Sequence, residues 1–165
     1  MSAYQVLITG ANRGIGLEFT KQYAADGWSV LACCREPQSA SALQAVANQN
    51  NNVRILSLDI ADFSQIEALA LQLKEESIDL LINNAGVYPH STFGDTNYDD
   101  WAKAFKVNSM ATLKMAEAFV QHITRSQLKK IATLTSKMGS IDDNTSGESY
   151  SYRSTKTAVR SEEHV

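Results

Sequence analysis

Short apolar runs of strand length alternate with longer stretches of helical periodicity along the whole chain. The runs are Val6-Leu7-Ile8, Ser29 to Cys34, Val53 to Leu58, Ile78 to Ile82 and Ile131 to Leu134. Between them lie the helical patterns Ile15 to Ala25, Pro37 to about Ala47, a face of Phe63, Ile66, Leu69, Ala70 and Leu73, a long helix from Asp99 to roughly Ile123, and a last one from about Tyr150. Strands that alternate with helices form βαβ units and a parallel sheet. Apolar character without alternation, as in Ile78 to Ile82, suits a strand covered on both faces. The predicted fold class is therefore α/β: a Rossmann-like, doubly wound parallel sheet of about five strands.

Local chemistry supports these boundaries. Asp26-Gly27 ends the first helix, with glycine suited to the left-handed position beyond it. Pro37 fits a first helical turn, where its missing N–H costs nothing. Asp62 and Gln65 read as a capping box. Asp99 and Asp100 favour a helix start through the positive end of its dipole.

At 165 residues the chain reads as one domain, residues 1–165, long enough to bury a core. Apolar residues make up 44% and charged residues 20%, which fits a globular chain rather than a disordered one. No run approaches the ~18 apolar residues that cross a bilayer, and no membrane partner is expected. The net charge of −3 comes without a basic block, so no nucleic-acid partner is expected either. Met1 to Gly10 shows no secretory signal. The adjacent Cys33 and Cys34 cannot build a disulfide framework, which points to a reducing, cytoplasmic setting. His90, His122 and His164 lack ligand spacing, and no metal is expected.

The first βα junction reads Thr9-Gly10-Ala11-Asn12-Arg13-Gly14-Ile15-Gly16. Gly10 permits a tight turn, Gly14 a close approach of backbone to a diphosphate, and Gly16 close packing of helix on strand. The helix start adds N–H groups and positive partial charge for an anion. Gly10, Asn12, Arg13, Gly14, Ile15 and Gly16 are thus candidate dinucleotide contacts. The second strand ends Cys33-Cys34-Arg35, without an acid at its tip. Arg35 and Arg13 together would pair with a ribose 2′-phosphate, favouring NADP(H) over NAD(H). Glu36 would weaken that preference if it turned inward. Asp59 and Ile60 follow the third strand, where Asp59 also fits a turn ahead of the next helix.

Later segments carry a second group of signals. Asn83-Asn84-Ala85-Gly86 ends the fourth strand. Asn108 is a poor residue for a helix interior. Ser136 follows the fifth strand, where ligands of doubly wound sheets collect, and its hydroxyl is suited to a substrate carbonyl. Tyr152 and Lys156 form Y-x-x-x-K, which places phenol and ammonium on one helix face. A phenol ionises near pH 10, so reaction near neutrality requires about 4 kcal/mol of help, to which a neighbouring cation contributes.

In this order, the G-x-x-x-G-x-G turn after Thr9, N-N-A-G, the helical Asn, the Ser and Y-x-x-x-K resemble the short-chain dehydrogenase/reductase family over residues 3–160. Gly139-Ser140-Ile141 with Asn144-Thr145-Ser146-Gly147 resembles its C-factor-like branch, near the sniffer-type carbonyl reductases. The resemblance implies an NADP(H)-dependent oxidoreductase acting on a small carbonyl or alcohol. It implies that Asp59 and Ile60 hold the adenine and that Asn84, Ala85 and Gly86 line the cofactor, while Asn83 steadies the sheet. It assigns proton donation to Tyr152, cofactor ribose binding and support of the phenol to Lys156, carbonyl orientation to Ser136 and a proton relay to Asn108. It also implies homo-oligomers formed through the long helix.

The family continues for two more strands, which supply much of its substrate pocket, so the chain reads as shortened at its C-terminus. Glu162 and Glu163 would oppose the dipole of the last helix. A dinucleotide-binding or signalling fragment with little turnover is the alternative reading. A nucleotide-sugar epimerase also uses Y-x-x-x-K, but the glycine spacing argues against it.

Overall fold

The computed structural model describes residues 4–161. In chain order the elements are β1 (Gln5–Thr9), α1 (Gly14–Ala25), β2 (Ser29–Cys34), α2 (Ser41–Gln49), β3 (Val53–Ser57), α3 (Phe63–Gln72) and β4 (Leu80–Asn83). They continue with β5 (Ser91–Thr92), β6 (Asp95–Thr96), α4 (Tyr98–Phe105), α5 (Ala111–Thr124), β7 (Lys130–Thr133) and α6 (Tyr150–Arg160). The five longer strands form a parallel sheet in the order β3-β2-β1-β4-β7. This is the Rossmann-like, doubly wound arrangement expected from the alternation.

Side-chain alternation along the strands divides the core into two layers. Leu7, Leu31, Cys33 and Leu81 face α3 and α5, where they meet Ile66, Leu69, Met115 and Phe119. Val6, Ile8, Val30, Ala32 and Cys34 face the other way, onto Leu43, Val46 and the α1 side. Each fully buried side chain of this size contributes about 1.5–3 kcal/mol of burial free energy.

Several elements differ in detail from expectation. The helix predicted from Pro37 is split: a 3₁₀ turn over Pro37–Ser39 precedes α2, and Ala40 interrupts them. Ile78 is fully buried but lies ahead of β4, which begins at Leu80. Its N–H donates to the carbonyl of His122 (3.1 Å) rather than to a strand. The loop containing Pro89 and Gly94 carries the small antiparallel hairpin β5–β6, with Gly94 at φ +83° in its turn. At α3, Asp62 accepts from the N–H of Ser64 (3.0 Å), and Gln65 reaches past Asp62 to accept the N–H of Asp59 (2.9 Å). The cap therefore ties α3 to the end of β3 rather than closing only on itself. Asn97, not flagged from sequence, caps α4 by accepting from the N–H groups of Asp99 and Asp100. The long helix is continuous but holds a π-helical turn over Lys106–Met110, between α4 and α5. Glu162, Glu163 and His164 lie outside the described residues.

The order of the strands positions the site. From β1 the chain winds outward through β2 and β3, then returns to place β4 on the other side of β1. At such a reversal the loops leaving two neighbouring strands separate, and a crevice opens at their C-terminal ends. Here those loops are Gly10 to Arg13 after β1 and Asn84 to Val87 after β4.

Candidate functional site

The crevice is braced before it is lined. The Thr9 hydroxyl oxygen accepts from the N–H groups of Asn84 (3.0 Å) and Ala85 (3.1 Å). The Asn84 amide donates to the carbonyls of Thr9 (2.9 Å) and Gly10 (3.1 Å). Gly10 sits at φ +67°, and a Cβ there would lie 2.9 Å from the Cα of Ala85. Gly16, in the first turn of α1, lies so close to this turn that a Cβ would collide with the Gly10 carbonyl oxygen. The two glycines thus bring the helix start and the two strand ends together. Gly14, at φ +54°, has open space where a Cβ would be. Its backbone leaves room for a ligand at the N-terminus of α1.

A cleft of about 640 Å³ follows from this arrangement. Gly10, Asn12, Arg13, Gly14 and Ile15 form one wall. Asn84, Ala85 and Gly86 line it from the loop after β4, and Arg35, Asp59 and Ile60 from the β2–β3 end. Gly16 lies beneath, buried. Arg13 and Arg35 are both exposed at the cleft and make no ion pair among the described residues. Glu36 lines the same end, with its carboxylate accepting from the Ser39 hydroxyl (3.2 Å). Asp59 accepts the N–H of Ala61 (2.9 Å), so it makes the turn its position suggested while also facing the cleft. Cys33 lines the cleft as well, a contribution missed from sequence. Burial, together with the neighbouring Cys34, pushes its thiol up to about 12. The described residues contain no group of three or more His, Cys, Asp or Glu able to hold a metal. No helix among them is long and apolar enough to cross a membrane.

Beyond Gly86 the polar side chains converge. A Cβ on Gly86 would lie 3.2 Å from Asn108 Oδ1 and 3.7 Å from Lys156 Nζ. Asn108 sits in the π-helical turn, buried to 1% exposure. Its Oδ1 accepts the N–H of Val87 (2.8 Å), while its Nδ2 donates to the carbonyl of Val87 and to the Thr155 hydroxyl (both 2.9 Å). One side chain therefore joins the loop after β4 to α6. Lys156 Nζ donates to the carbonyl of Leu134 (2.7 Å), and burial holds its pKa below the usual lysine value. It lies 5.9 Å from the ring centroid of Tyr152. The Tyr152 hydroxyl has no hydrogen-bond partner among the described residues.

Ser136 begins the 3₁₀ turn Lys137–Gly139, accepting the N–H of Met138 (3.1 Å), which leaves its O–H proton available as a donor. That turn packs on α6: a Cβ at Gly139 would be 2.7 Å from the Lys156 carbonyl oxygen, and the Thr135 hydroxyl donates to that carbonyl at 3.0 Å. Asn108, Ser136, Tyr152 and Lys156 are thus brought to one end of the sheet, just beyond the cleft lining rather than within it. Asn83 bridges β4 to the carbonyl of Thr112 and the hydroxyl of Thr133 (both 3.4 Å).

The fold and this crevice define an α/β protein whose strand ends present a glycine turn, a helix N-terminus and a polar cluster. A family model for short chain dehydrogenases matches residues 4–162, and the chain belongs to that family. Among curated relatives it is 36% identical over 95 residues to the C-signal of Myxococcus xanthus, covering 57% of each protein. It is 30% identical over 156 residues to the 1-hydroxy-2-glutathionyl-2-methyl-3-butene dehydrogenase of Rhodococcus sp. (strain AD45), covering 93% of this chain and 66% of that one. The NADPH-bound carbonyl reductase from chicken fatty liver superposes with a TM-score of 0.88 at 32% identity, covering 98% of this chain and 71% of that one. For the carbonyl reductase Sniffer of D. melanogaster the values are 0.86 and 26%, with coverage of 97% and 72%. The chain spans about half to two-thirds of the length of the curated relatives it matches.

Proposed function

We propose that the chain is an NADP(H)-dependent oxidoreductase that interconverts a small carbonyl compound and its alcohol. The observation that carries this reading is the continuity of the glycine-walled cleft with the Asn108–Tyr152–Lys156 cluster at Gly86. When bound, the cofactor supplies the hydride that the carbonyl carbon accepts.

The chain's own residues do the rest. Gly10, Asn12, Arg13, Gly14 and Ile15 take the diphosphate at the start of α1, and Arg13 and Arg35 pair with the 2′-phosphate. Asp59 and Ile60 receive the adenine, and Asn84, Ala85 and Gly86 form the cofactor's floor. Glu36 stands in the same region as the two arginines, and its bond to Ser39 keeps part of its charge occupied. Ser136 donates its O–H to the substrate carbonyl and holds the negative charge that develops there. Tyr152 gives its phenolic proton to the same oxygen as general acid. Lys156 places a cation beside the phenol and the cofactor ribose. Asn108 orients Val87 and Thr155 around the path by which the proton is replaced. The NADPH-bound reductase and the NADP-bound Burkholderia multivorans enzyme, at 30% identity and a TM-score of 0.85, favour NADP(H) among the nicotinamide cofactors.

The test is loss of NADPH absorbance with a panel of small aldehydes, ketones and diketones. The reading predicts turnover that Tyr152→Phe lowers by about 10²-fold or more while NADPH affinity is kept. Cofactor binding without turnover in the unaltered chain would instead support a dinucleotide-binding fragment.

A further inference from the structure

Tyr88 is 58% exposed and follows the N-N-A-G segment by two residues, yet two contacts hold it in place. Its ring lies against that of Tyr152, with centroids 4.4 Å apart and planes tilted by 50°. Its hydroxyl shares a hydrogen bond of 2.6 Å with the hydroxyl of Ser149.

Ser149 occupies the N-cap of α6, a position where a serine ordinarily turns its side chain onto the backbone N–H groups of its own helix. Here it makes no such bond. Its hydroxyl is diverted to Tyr88, 61 residues away in sequence. The entry to α6 is also conformationally demanding, because Glu148 and Ser149 both lie in the left-handed region at φ +57° and +52° without being glycine. Bonds to the Tyr88–Ser91 segment hold it. The Ser149 N–H donates to the Ser91 carbonyl (2.8 Å), the Ser151 N–H donates to Ser91 Oγ (3.0 Å), and the two serine hydroxyls meet at 2.8 Å. Ser91 and Ser151 are both buried. These bonds tie the loop after β4 to the first turn of α6, with Tyr88 as the part that touches the Tyr152 ring.

A tyrosine on a helix surface chooses among a few staggered rotamers, and only packing selects one. We propose that Tyr88, tethered by Ser149, is a positioning residue that fixes the ring of Tyr152 for proton transfer. Proton transfer needs the donor within hydrogen-bond reach of the substrate oxygen, so a small misplacement of the phenol lowers turnover without weakening cofactor binding.

The inference rests on the reductase reading for its kinetic test and is independent of it in a second, spectroscopic one. Tyr88→Phe and Ser149→Ala remove the same hydrogen bond. Each should lower kcat about tenfold, the double variant should lose no more than either single, and NADPH affinity should stay within about twofold. Full kcat in both single variants, or losses that multiply in the double variant, would overturn it. In protein carrying ¹³C-labelled tyrosine rings, the Tyr152 signal is assigned by its loss in Tyr152→Phe. Tyr88→Phe should shift that signal or speed its ring flip, and an unchanged signal and flip rate would overturn the proposal. If the unaltered chain reduced no carbonyl, the reductase reading would fall while the Tyr152 signal still decided the clamp.

Discussion

A single ammonium shows how site chemistry and stability oppose each other at the scale of the residue. Lys156 is 5% exposed and has one carbonyl, that of Leu134, as its hydrogen-bond partner. Desolvation penalises its charged form, which lowers its pKa from the ordinary lysine value of 10.5. The unfolded chain then binds more protons than the folded one between the lowered value and 10.5, and in that window stability gains from rising pH. Cys33 acts in the opposite direction, because its buried thiol keeps its proton up to about 12 while an exposed one ionises near 9.0. Its contribution is present below 9.0 and is lost as pH rises toward 12. Comparing the chain with its Lys156→Met variant cancels the thiol's effect. Urea unfolding should show the unaltered chain gaining stability relative to the variant as pH rises from neutral toward 10.5. A constant difference across that range would contradict the burial argument. Residue identity made Tyr152 and Lys156 legible in the sequence, since their spacing alone puts them on one helix face. Tyr88 was not legible, because its contacts come from a segment far along the chain and no local pattern announces them.

The π-helical turn at Lys106–Met110 carries comparable weight at the scale of the element. A π turn accommodates one extra residue and leaves local hydrogen bonding weaker, and such turns concentrate at functional positions. Here Asn108 compensates with three side-chain bonds to Val87 and Thr155. Asn108→Ala would leave the Val87 N–H and carbonyl without these partners. The expected loss is about 3 kcal/mol in urea unfolding, against about 1 kcal/mol for Asn97→Ala at the cap of α4. Equal effects of the two would show that the Val87 loop finds other partners. Asparagine's poor helix propensity marked this position in the sequence, but nothing in composition distinguishes a π turn from a solvated asparagine. The hairpin β5–β6 was equally hidden, because two-residue strands are too short to show a period. The five longer strands and most helices were legible because their apolar periods span several residues. The break at Ala40 was not, since alanine favours a helix there.

For the molecule as a whole, the reversal of strand order between β1 and β4 sets where the crevice opens, and the glycine turn shapes its lining. The rest of the sheet is scaffold for that crevice. Along β7 the outer edge is unpaired among the described residues, and all four of its residues are exposed. The two exposed arginines, Arg13 and Arg35, make the cofactor preference quantitative. Both line the cleft, and a charge-assisted pair on a phosphate contributes a tenfold or larger preference at about 1.5–3 kcal/mol. The most direct measurement is calorimetric titration of the chain with NADPH and NADH, repeated on an Arg13→Ala, Arg35→Ala double variant. Both cofactors should bind, NADPH about tenfold or more tighter, with that preference abolished in the double variant. Failure to bind either nucleotide, or equal affinity for both in the unaltered chain, would contradict it.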